Sequence, residues 1–283
     1  MQDKPTTSLS VAIVCYHTPI HQLHALLNSL LVAVQKLHES AELQGVLVYL
    51  IDNSAYPELR LEQFSDLLPA CRASRVELRL LTGQGNVGYG SAHNLVLPDL
   101  LSEFHLMLNP DVVLAPDSLR HGIHYLLENM QVVLASPRAT DSQGNKQYLC
   151  KTYPALLTFL VRGFLPRWLR PLFADRLARF EMHALPESQP STNIPIVSGC
   201  CMLCRTKSLR EVHGFDEDYF LYFEDFDLSL RMHAEGQIAY LPDMAISHGG
   251  GNAARKGFWH LQMFAASARL FYQKNGWRWL RQE

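Results

Sequence analysis

The chain reads as an α/β protein built on an open, mostly parallel sheet with helices on both faces. A continuous apolar run rich in β-branched residues, Ser10 to Cys15, opens an alternation of strand-like runs with segments of helical periodicity through the first four strands. Such runs mark strands buried on both faces of a parallel sheet, and their alternation with helices is the signature of crossover connections. Each run also ends in a cluster of small and polar residues. Open α/β sheets bind ligands at the carboxyl ends of their strands, and all four clusters fall there.

Ser10 to Cys15 (S-V-A-I-V-C) is the first strand, broken by Tyr16-His17-Thr18-Pro19. Ile20 to Leu37 carries leucines at 23, 26, 27, 30 and 31, the stripe of an amphipathic helix. Val46 to Ile51 is the second strand, closing in Asp52-Asn53-Ser54. A loop and a weak helix lead to the third, Val76 to Leu81, followed by G-Q-G-N-V-G-Y-G (83–90) and a short helix through Asn94. Phe104 to Leu108 is the fourth strand, closed by Asn109-Pro110-Asp111. Pro116 to Met130 predicts a helix and Val132 to Ser136 a strand.

From Pro154 to Met182 apolar side chains alternate with Arg162, Arg167, Arg170, Arg176 and Arg179, with Trp168 and several phenylalanines among them. This segment is either an interfacial surface for a membrane or lipid-linked substrate, or a helical pair packed over the sheet. Pro186 to Asn193 is a polar loop, and Ile194 to Arg205 reads as one further buried strand. Ile238 to Leu241 and Met244 to Ile246 are short strands ending at His248, and residues 258–283 form a closing amphipathic helix. With no internal repeat, residues 1–283 form a single domain.

Composition narrows the partners. Twenty-five cations against 27 anions leave a net charge of −2, with no basic excess that would suggest nucleic acid. Six cysteines (Cys15, Cys71, Cys150, Cys200, Cys201, Cys204) in a chain of 283 residues fit reduced thiols. The C-x-x-C among them has no second pair, so buried thiols are favoured over zinc. The polar opening MQDKPTTS predicts no export signal. No apolar run reaches the roughly 18–20 residues of a membrane span, so a soluble or peripheral protein is expected.

The densest chemistry lies between Gly214 and Gly236. Six carboxylates (Asp216, Glu217, Asp218, Glu224, Asp225, Asp227) are interleaved with six aromatics (Phe215, Tyr219, Phe220, Tyr222, Phe223, Phe226), and no lysine occurs there. Acids among large rings are poorly solvated, which raises a carboxyl pKa toward general-base values. An irregular run to Phe223 followed by a helix from about Glu224 to Glu235 would put Glu224 and Asp225 in its first turn. Simple helix capping would account for one acid there but not for the aromatic setting.

Other motifs are weaker singly. G-N-V-G-Y-G (85–90) follows a strand and precedes a helix, as a phosphate-approaching loop would, without matching G-x-G-x-x-G. Asp52 could receive base or ribose donors or cap a helix. Asp111 can present an oxygen to a hard cation, since Mg²⁺ or Mn²⁺ is held by one or two carboxylates plus phosphates and waters. His248, after a strand and before Gly249-Gly250-Gly251, is by position either a ligand or phosphate contact or, as lone histidines usually are, structural.

The ordered set, D-N-S, G-N-V-G-Y-G-S-A-H-N, L-N-P-D, G-F-D-E-D-Y-F-L-Y-F-E-D-F-D-L-S-L-R and a later histidine, resembles glycosyltransferase family 2. Within it, the likeness is to the branch that includes rhamnosyltransferases of bacterial surface polysaccharides. The resemblance implies a GT-A fold and an inverting, metal-dependent transferase. Residues 8–115 would be its nucleotide-sugar half and 116–283 its acceptor half, with a helical region toward the C-terminus.

Carried over residue by residue, Tyr16, Thr18, Asp52, Asn53 and Ser54 would line the nucleotide pocket. Asn86, Gly88 and Asn94 would shape the loop beside the donor. Asn109 and Asp111 stand at the D-x-D position, with asparagine replacing the first aspartate, so that Asp111 supplies the metal carboxylate for Mg²⁺ or Mn²⁺. His248 matches the second metal or diphosphate contact. Glu224-Asp225 match the acidic pair; Asp225 is the first choice of base and Glu224 the second. Tyr219, Tyr222 and Phe223 would form an acceptor wall.

The resemblance further implies a donor of the class of dTDP-rhamnose or a UDP-sugar, a glycan or lipid-linked acceptor, and work in the cytoplasm. The basic segment 154–185 would there meet the inner face of the plasma membrane. Two departures stand out: His17, where relatives carry a small or amide residue, and the loose Gly249-Gly250-Gly251-Asn252, which would form a loop closing over bound donor. A nucleotidyltransferase would need a basic residue near the N-terminus, and Val11 to Pro19 has neither Arg nor Lys. A nucleotide-sugar-binding protein without transfer activity is the remaining alternative, disfavoured by Asp111, Asp225 and His248 together.

Overall fold

A computed structural model describes residues 6–164, 169–249 and 257–279. The first half unfolds along the chain as β1 (Thr6–Cys15), α1 (Ile20–Ser40), β2 (Glu42–Asp52), a 3₁₀ turn at Leu61–Leu67 running into α2 (Leu68–Ala73), β3 (Val76–Leu81) and α3 (Tyr89–Asn94). Then follow β4 (Phe104–Leu108), β5 (Val112–Leu114), α4 (Ser118–Glu128), β6 (Val132–Thr140), β7 (Lys146–Gln147) and β8 (Cys150–Lys151). The second half holds α5 (Leu156–Phe164), α6 (Ala174–Phe180), β9 (Ile196–Val197), β10 (Cys201–Arg205), α7 (Thr206–Glu211), α8 (Glu224–Met232), β11 (Gln237–His248) and α9 (Gly257–Asn275).

The main sheet runs β3-β2-β1-β4-β10-β6-β11-β5. β1, β2, β3 and β4 are mutually parallel, β10 is antiparallel to both its neighbours, and β6 and β11 pair in parallel. Because side chains alternate along a strand, β1 feeds two cores. Leu9, Val11, Ile13 and Cys15 pack beneath α1 and α4, while Ala12 and Val14 face α3, α7 and α8. Helix α1 buries Leu23, Leu26, Leu27 and Leu30, each contributing about 2 kcal/mol of transfer free energy. A third, aromatic cluster of Tyr153, Tyr219, Phe223, Phe271 and Tyr272 joins α9 to the start of α8.

Three expectations are corrected. Ile194 to Arg205 is not one strand: β9 pairs with β8 in a separate ribbon, and Ser198–Cys200 carries the chain across to β10 in the main sheet. The apolar run spans both pieces because both are buried, so composition does not mark the break. Helix α8 stops at Met232, three residues early, where Glu235 and Gly236 donate back to the Met232 carbonyl and close it in a turn. The two short strands before His248 are one, β11, with a register shift between Leu241 and Ala245. Of the basic segment, Arg167 and Trp168 lie outside the described residues, as do Gly250, Gly251 and Asn252 of the loose loop.

Candidate active site

Helix α8 begins abruptly. Tyr222 and Phe223 take left-handed backbone (φ 72° and 68°), costly for bulky residues. They are held because the Phe223 ring is wedged among Phe159, Phe226, Phe264 and Phe271, with centroids 5.1 to 5.4 Å away. The reversal sets Glu224 and Asp225 side by side in the first turn.

Glu224 is 5% exposed and its Oε2 has no hydrogen-bond partner among the described residues. Burial first, and the neighbouring Asp225 charge second, push its pKa up. Asp225 is less covered. Its Oδ2 accepts the Gly199 N–H at 2.8 Å and its Oδ1 the Phe226 N–H at 2.9 Å. Burial raises its pKa too, opposed by those N–H donors and by the Lys151 cation. Two buried carboxyls this close titrate as a pair, so their protons belong to both. Asp225 keeps the solvent access that Glu224 lacks.

The Ser198–Cys200 crossing ties the acids to the rest of the sheet edge. Gly199 donates to Asp225 and accepts from the Tyr89 hydroxyl at 2.7 Å. The next carbonyl, of Cys200, accepts the Asn109 N–H at 2.8 Å. Two residues on, Asp111 Oδ1 lies 3.3 Å from His248 Nε2. Gln147 fixes that imidazole: its Nε2 donates to the His248 carbonyl at 3.1 Å, which turns its Oε1 toward His248 Nδ1 at 2.9 Å. With Nδ1 donating to Gln147, Nε2 and the Asp111 carboxylate face each other as a potential ligand pair.

Among the described residues no three His, Cys, Asp or Glu side chains gather about one point. Two protein ligands plus nucleotide phosphates still match the way Mg²⁺ and Mn²⁺ are held. Asp111 and His248 therefore fit a divalent cation.

At the other strand ends the nucleotide-side residues are brought together, in roles that differ from one to the next. Tyr16 projects from the end of β1, 53% exposed, and its N–H donates to Thr18 Oγ1 at 3.2 Å. Asp52 is 1% exposed and turned inward: it accepts the N–H groups of Ser54, Glu58 and Leu59 at 3.1, 2.6 and 2.9 Å. Burial raises its pKa, but these donors outweigh burial and leave it lowered. Asp52 thus caps the 54–59 loop through three backbone donors. Ser54, likewise buried, accepts the His17 N–H at 3.4 Å.

Asn53 holds the Gly-rich loop. Its amide donates to the Gly88 carbonyl and Asn86 Oδ1, both at 3.1 Å, and accepts the Val87 N–H at 3.1 Å. Gly88 has φ 91° and lies against the Phe220 carbonyl, where a Cβ would overlap it, so only glycine serves there. Asn86 alone of this group is largely exposed.

Several of the expected residues make extensive contacts within the protein. Asn94 accepts the Phe215 N–H at 2.9 Å and donates to the Phe215 carbonyl at 2.7 Å and to Glu217 Oε1 at 3.1 Å, locking α3 to the acidic loop. Tyr219 and Phe223 are 0% and 4% exposed and belong to the aromatic cluster. Tyr222 is half-buried, its hydroxyl 2.9 Å from His260 Nδ1. Sequence reading passed over Tyr89, Gln147, Lys151 and Gly199. Nothing local marks them, since each gains its role from a partner tens of residues away.

A curled, mostly parallel α/β sheet flanked by helices in this order is the architecture of the GT-A fold. A mannosyltransferase from Pyrobaculum calidifontis, solved with GDP-Man and Mn²⁺, aligns with 95% of this chain and 67% of its own at a TM-score of 0.57 and 15% identity. The family model described as "Glycosyltransferase like family 2" matches residues 5–281, and the chain belongs to that family. Among curated relatives, the N-acetylglucosaminyl-diphospho-decaprenol L-rhamnosyltransferase of Mycobacterium tuberculosis is 27% identical over 96% of this chain and 87% of its own length. Rhamnosyltransferase WbbL of Escherichia coli is 24% identical over 68% of this chain and 75% of its own.

Proposed function

We propose that this glycosyltransferase moves L-rhamnose from dTDP-rhamnose to a hydroxyl of a lipid-linked glycan in bacterial surface-polysaccharide synthesis (O-antigen, lipopolysaccharide or capsule), by single displacement with inversion. The observation that carries it is Asp225: a partly accessible carboxylate with raised pKa, one peptide link from the turn that bears Asp111. The names of the two rhamnosyltransferase relatives support the sugar, and the mycobacterial name supports a polyprenyl-diphosphate-linked acceptor.

In this reading Asp225 takes the proton of the acceptor hydroxyl as that oxygen attacks the anomeric carbon. The bond from that carbon to the nucleotide diphosphate breaks on the opposite face. Glu224, buried behind, sets the charge of the pair. Asp111 and His248 would hold Mg²⁺ or Mn²⁺, whose chemistry is to offset charge on the departing diphosphate. Residues 8–115 would serve the donor and 116–283 the acceptor, with Tyr16 and Asn86 at the nucleotide mouth. Among the described residues no helix is long and apolar enough to cross a membrane. The basic stretch 154–185 would bring the enzyme to the cytoplasmic face of the plasma membrane as a peripheral protein, where its acceptor lies.

A panel of nucleotide sugars tests the reading. Donor binding and transfer to N-acetylglucosaminyl-diphospho-decaprenol are measured with and without Mg²⁺ or Mn²⁺, on wild type and Asp225→Asn. The expected result is metal-dependent binding of dTDP-rhamnose, kept in the variant while turnover vanishes. Selection of UDP-galactose, UDP-glucose or UDP-N-acetylglucosamine would replace the sugar and keep the chemistry. Binding without turnover by wild type would favour a non-catalytic nucleotide-sugar-binding protein, and no binding at all would sink the reading.

A further inference from the structure

The Gly-rich loop and the acid pair are joined by two residues that neither the motif pattern nor the proposed chemistry uses. Tyr89 follows Gly88 in that loop. Its N–H donates to the Phe220 carbonyl at 3.1 Å, and its hydroxyl reaches across to the Gly199 carbonyl at 2.7 Å. The N–H of the same Gly199 holds Asp225 Oδ2 at 2.8 Å. Gly199 admits no side chain without crowding both partners: a Cβ there would stand 3.2 Å from Asp225 Cβ and 3.4 Å from Tyr89 Cε1. The Tyr89 ring is further braced edge-on by His93 at 4.7 Å and Phe215 at 6.0 Å.

We propose that Tyr89 is a positioning residue, which through Gly199 couples the conformation of the Gly-rich loop to the orientation and hydrogen bonding of Asp225.

The reasoning is geometric. Gly199 sits in the crossing between the β8–β9 ribbon and the main sheet; its N–H and its C=O belong to the two successive peptide planes that meet at its Cα, and each plane is held by one of the two bonds described. Loop 85–90 is anchored on Asn53, so a shift of the loop moves the Tyr89 hydroxyl and the 199–200 peptide it holds, and, through the Gly199 Cα, the neighbouring peptide whose N–H meets the carboxylate. A donor settling on the loop would thereby align the base before the acceptor arrives. Hydrogen bonds to a carboxylate favour its charged form, so weakening the Gly199 contact disfavours that form. The titratable groups facing Asp225 are Glu224 on its own helix, Tyr89 from α3, Lys151 from β8 and Cys200 from the crossing segment. Of these only Tyr89 bonds the Gly199 carbonyl.

The inference rests on the transferase reading for its kinetic arm alone. Tyr89→Phe keeps the ring packing and removes the hydroxyl. Expected are an unchanged melting temperature, an unchanged donor KM, and a kcat lowered about three- to tenfold, the range of one lost hydrogen bond. The acid limb of the pH profile moves to higher pH. A carbon-detected NMR titration of the Asp225 carboxyl needs no turnover and should move the same way. Gly199→Ala, which wedges a methyl group between Tyr89 and Asp225, should move it too. An Asp225 titration unmoved in both variants overturns the proposal, whether or not the wild type transfers rhamnose. So does a Tyr89→Phe variant that changes donor KM alone, which would make Tyr89 a donor contact.

Discussion

In the proposed reading, two carboxyls at one helix start would set the chemistry at the residue scale. Asp225 keeps solvent access, so Asp225→Asn should lower kcat by about 10²–10⁴-fold, the span of general-base contributions, with donor affinity kept in a calorimetric titration. Glu224 makes the complementary prediction for stability. Its folded-state pKa is raised, so below the ordinary carboxyl range both folded and unfolded chains hold the proton. Between the ordinary carboxyl value and the raised one the unfolded chain gives up the proton while the folded state keeps it, so stability falls across that window and the loss is complete once pH has passed the raised value. Glu224→Gln removes that loss. Its melting temperature should match wild type at about pH 4 and exceed it at about pH 8, by roughly 2–4 °C per kcal/mol for a chain of this size, while activity falls. Asp111→Asn and His248→Ala should each shift the metal requirement of donor binding to higher Mn²⁺, about 10-fold or more, read as a metal titration. The acid types and their spacing are plain in the sequence. Which acid is covered and which is reached depends on the Phe223 wedge, and no local pattern encodes that.

Connections between elements do the positioning. Gly88 fills a site with positive φ against the Phe220 carbonyl. Gly88→Ala therefore meets both a backbone penalty of about 1–2 kcal/mol and a direct overlap. It should weaken donor binding and lower stability by about 2 kcal/mol or more in urea denaturation, with the larger fractional effect on binding. Strand edges are legible where the hydrophobic run ends in a turn motif: β3 and β4 occupy the very residues their patterns mark, Val76–Leu81 and Phe104–Leu108. They are illegible where apolar residues continue through a change of sheet, as between β9 and β10. The same failing hid the crossing that carries Gly199. Asn94 shows the reverse case: its place in the motif is right, but its amide locks two elements together.

Over the whole molecule, two cores flank the sheet and a third, aromatic one underlies the acids. Phe271 is fully buried in the third, packed on Phe223 at 5.3 Å. Phe271→Ala should cost about 3–5 kcal/mol and also reduce turnover beyond the lost folded fraction, because the cavity frees Phe223 and with it the helix start. Comparing kcat per folded molecule, counted by circular dichroism, checks this. Periodicity and composition were enough to specify the alternating sheet and the strand-end edge where its polar residues cluster, because burial on one or both faces of an element leaves its period in the chain. Covering Tyr219 and Phe223, turning Asp52 inward, aiming His248 through Gln147 and linking Tyr89 to Asp225 were decided by the tertiary structure alone. Each of those depends on a partner far away in the chain, and the energy of a contact exists only once folding has brought both sides together.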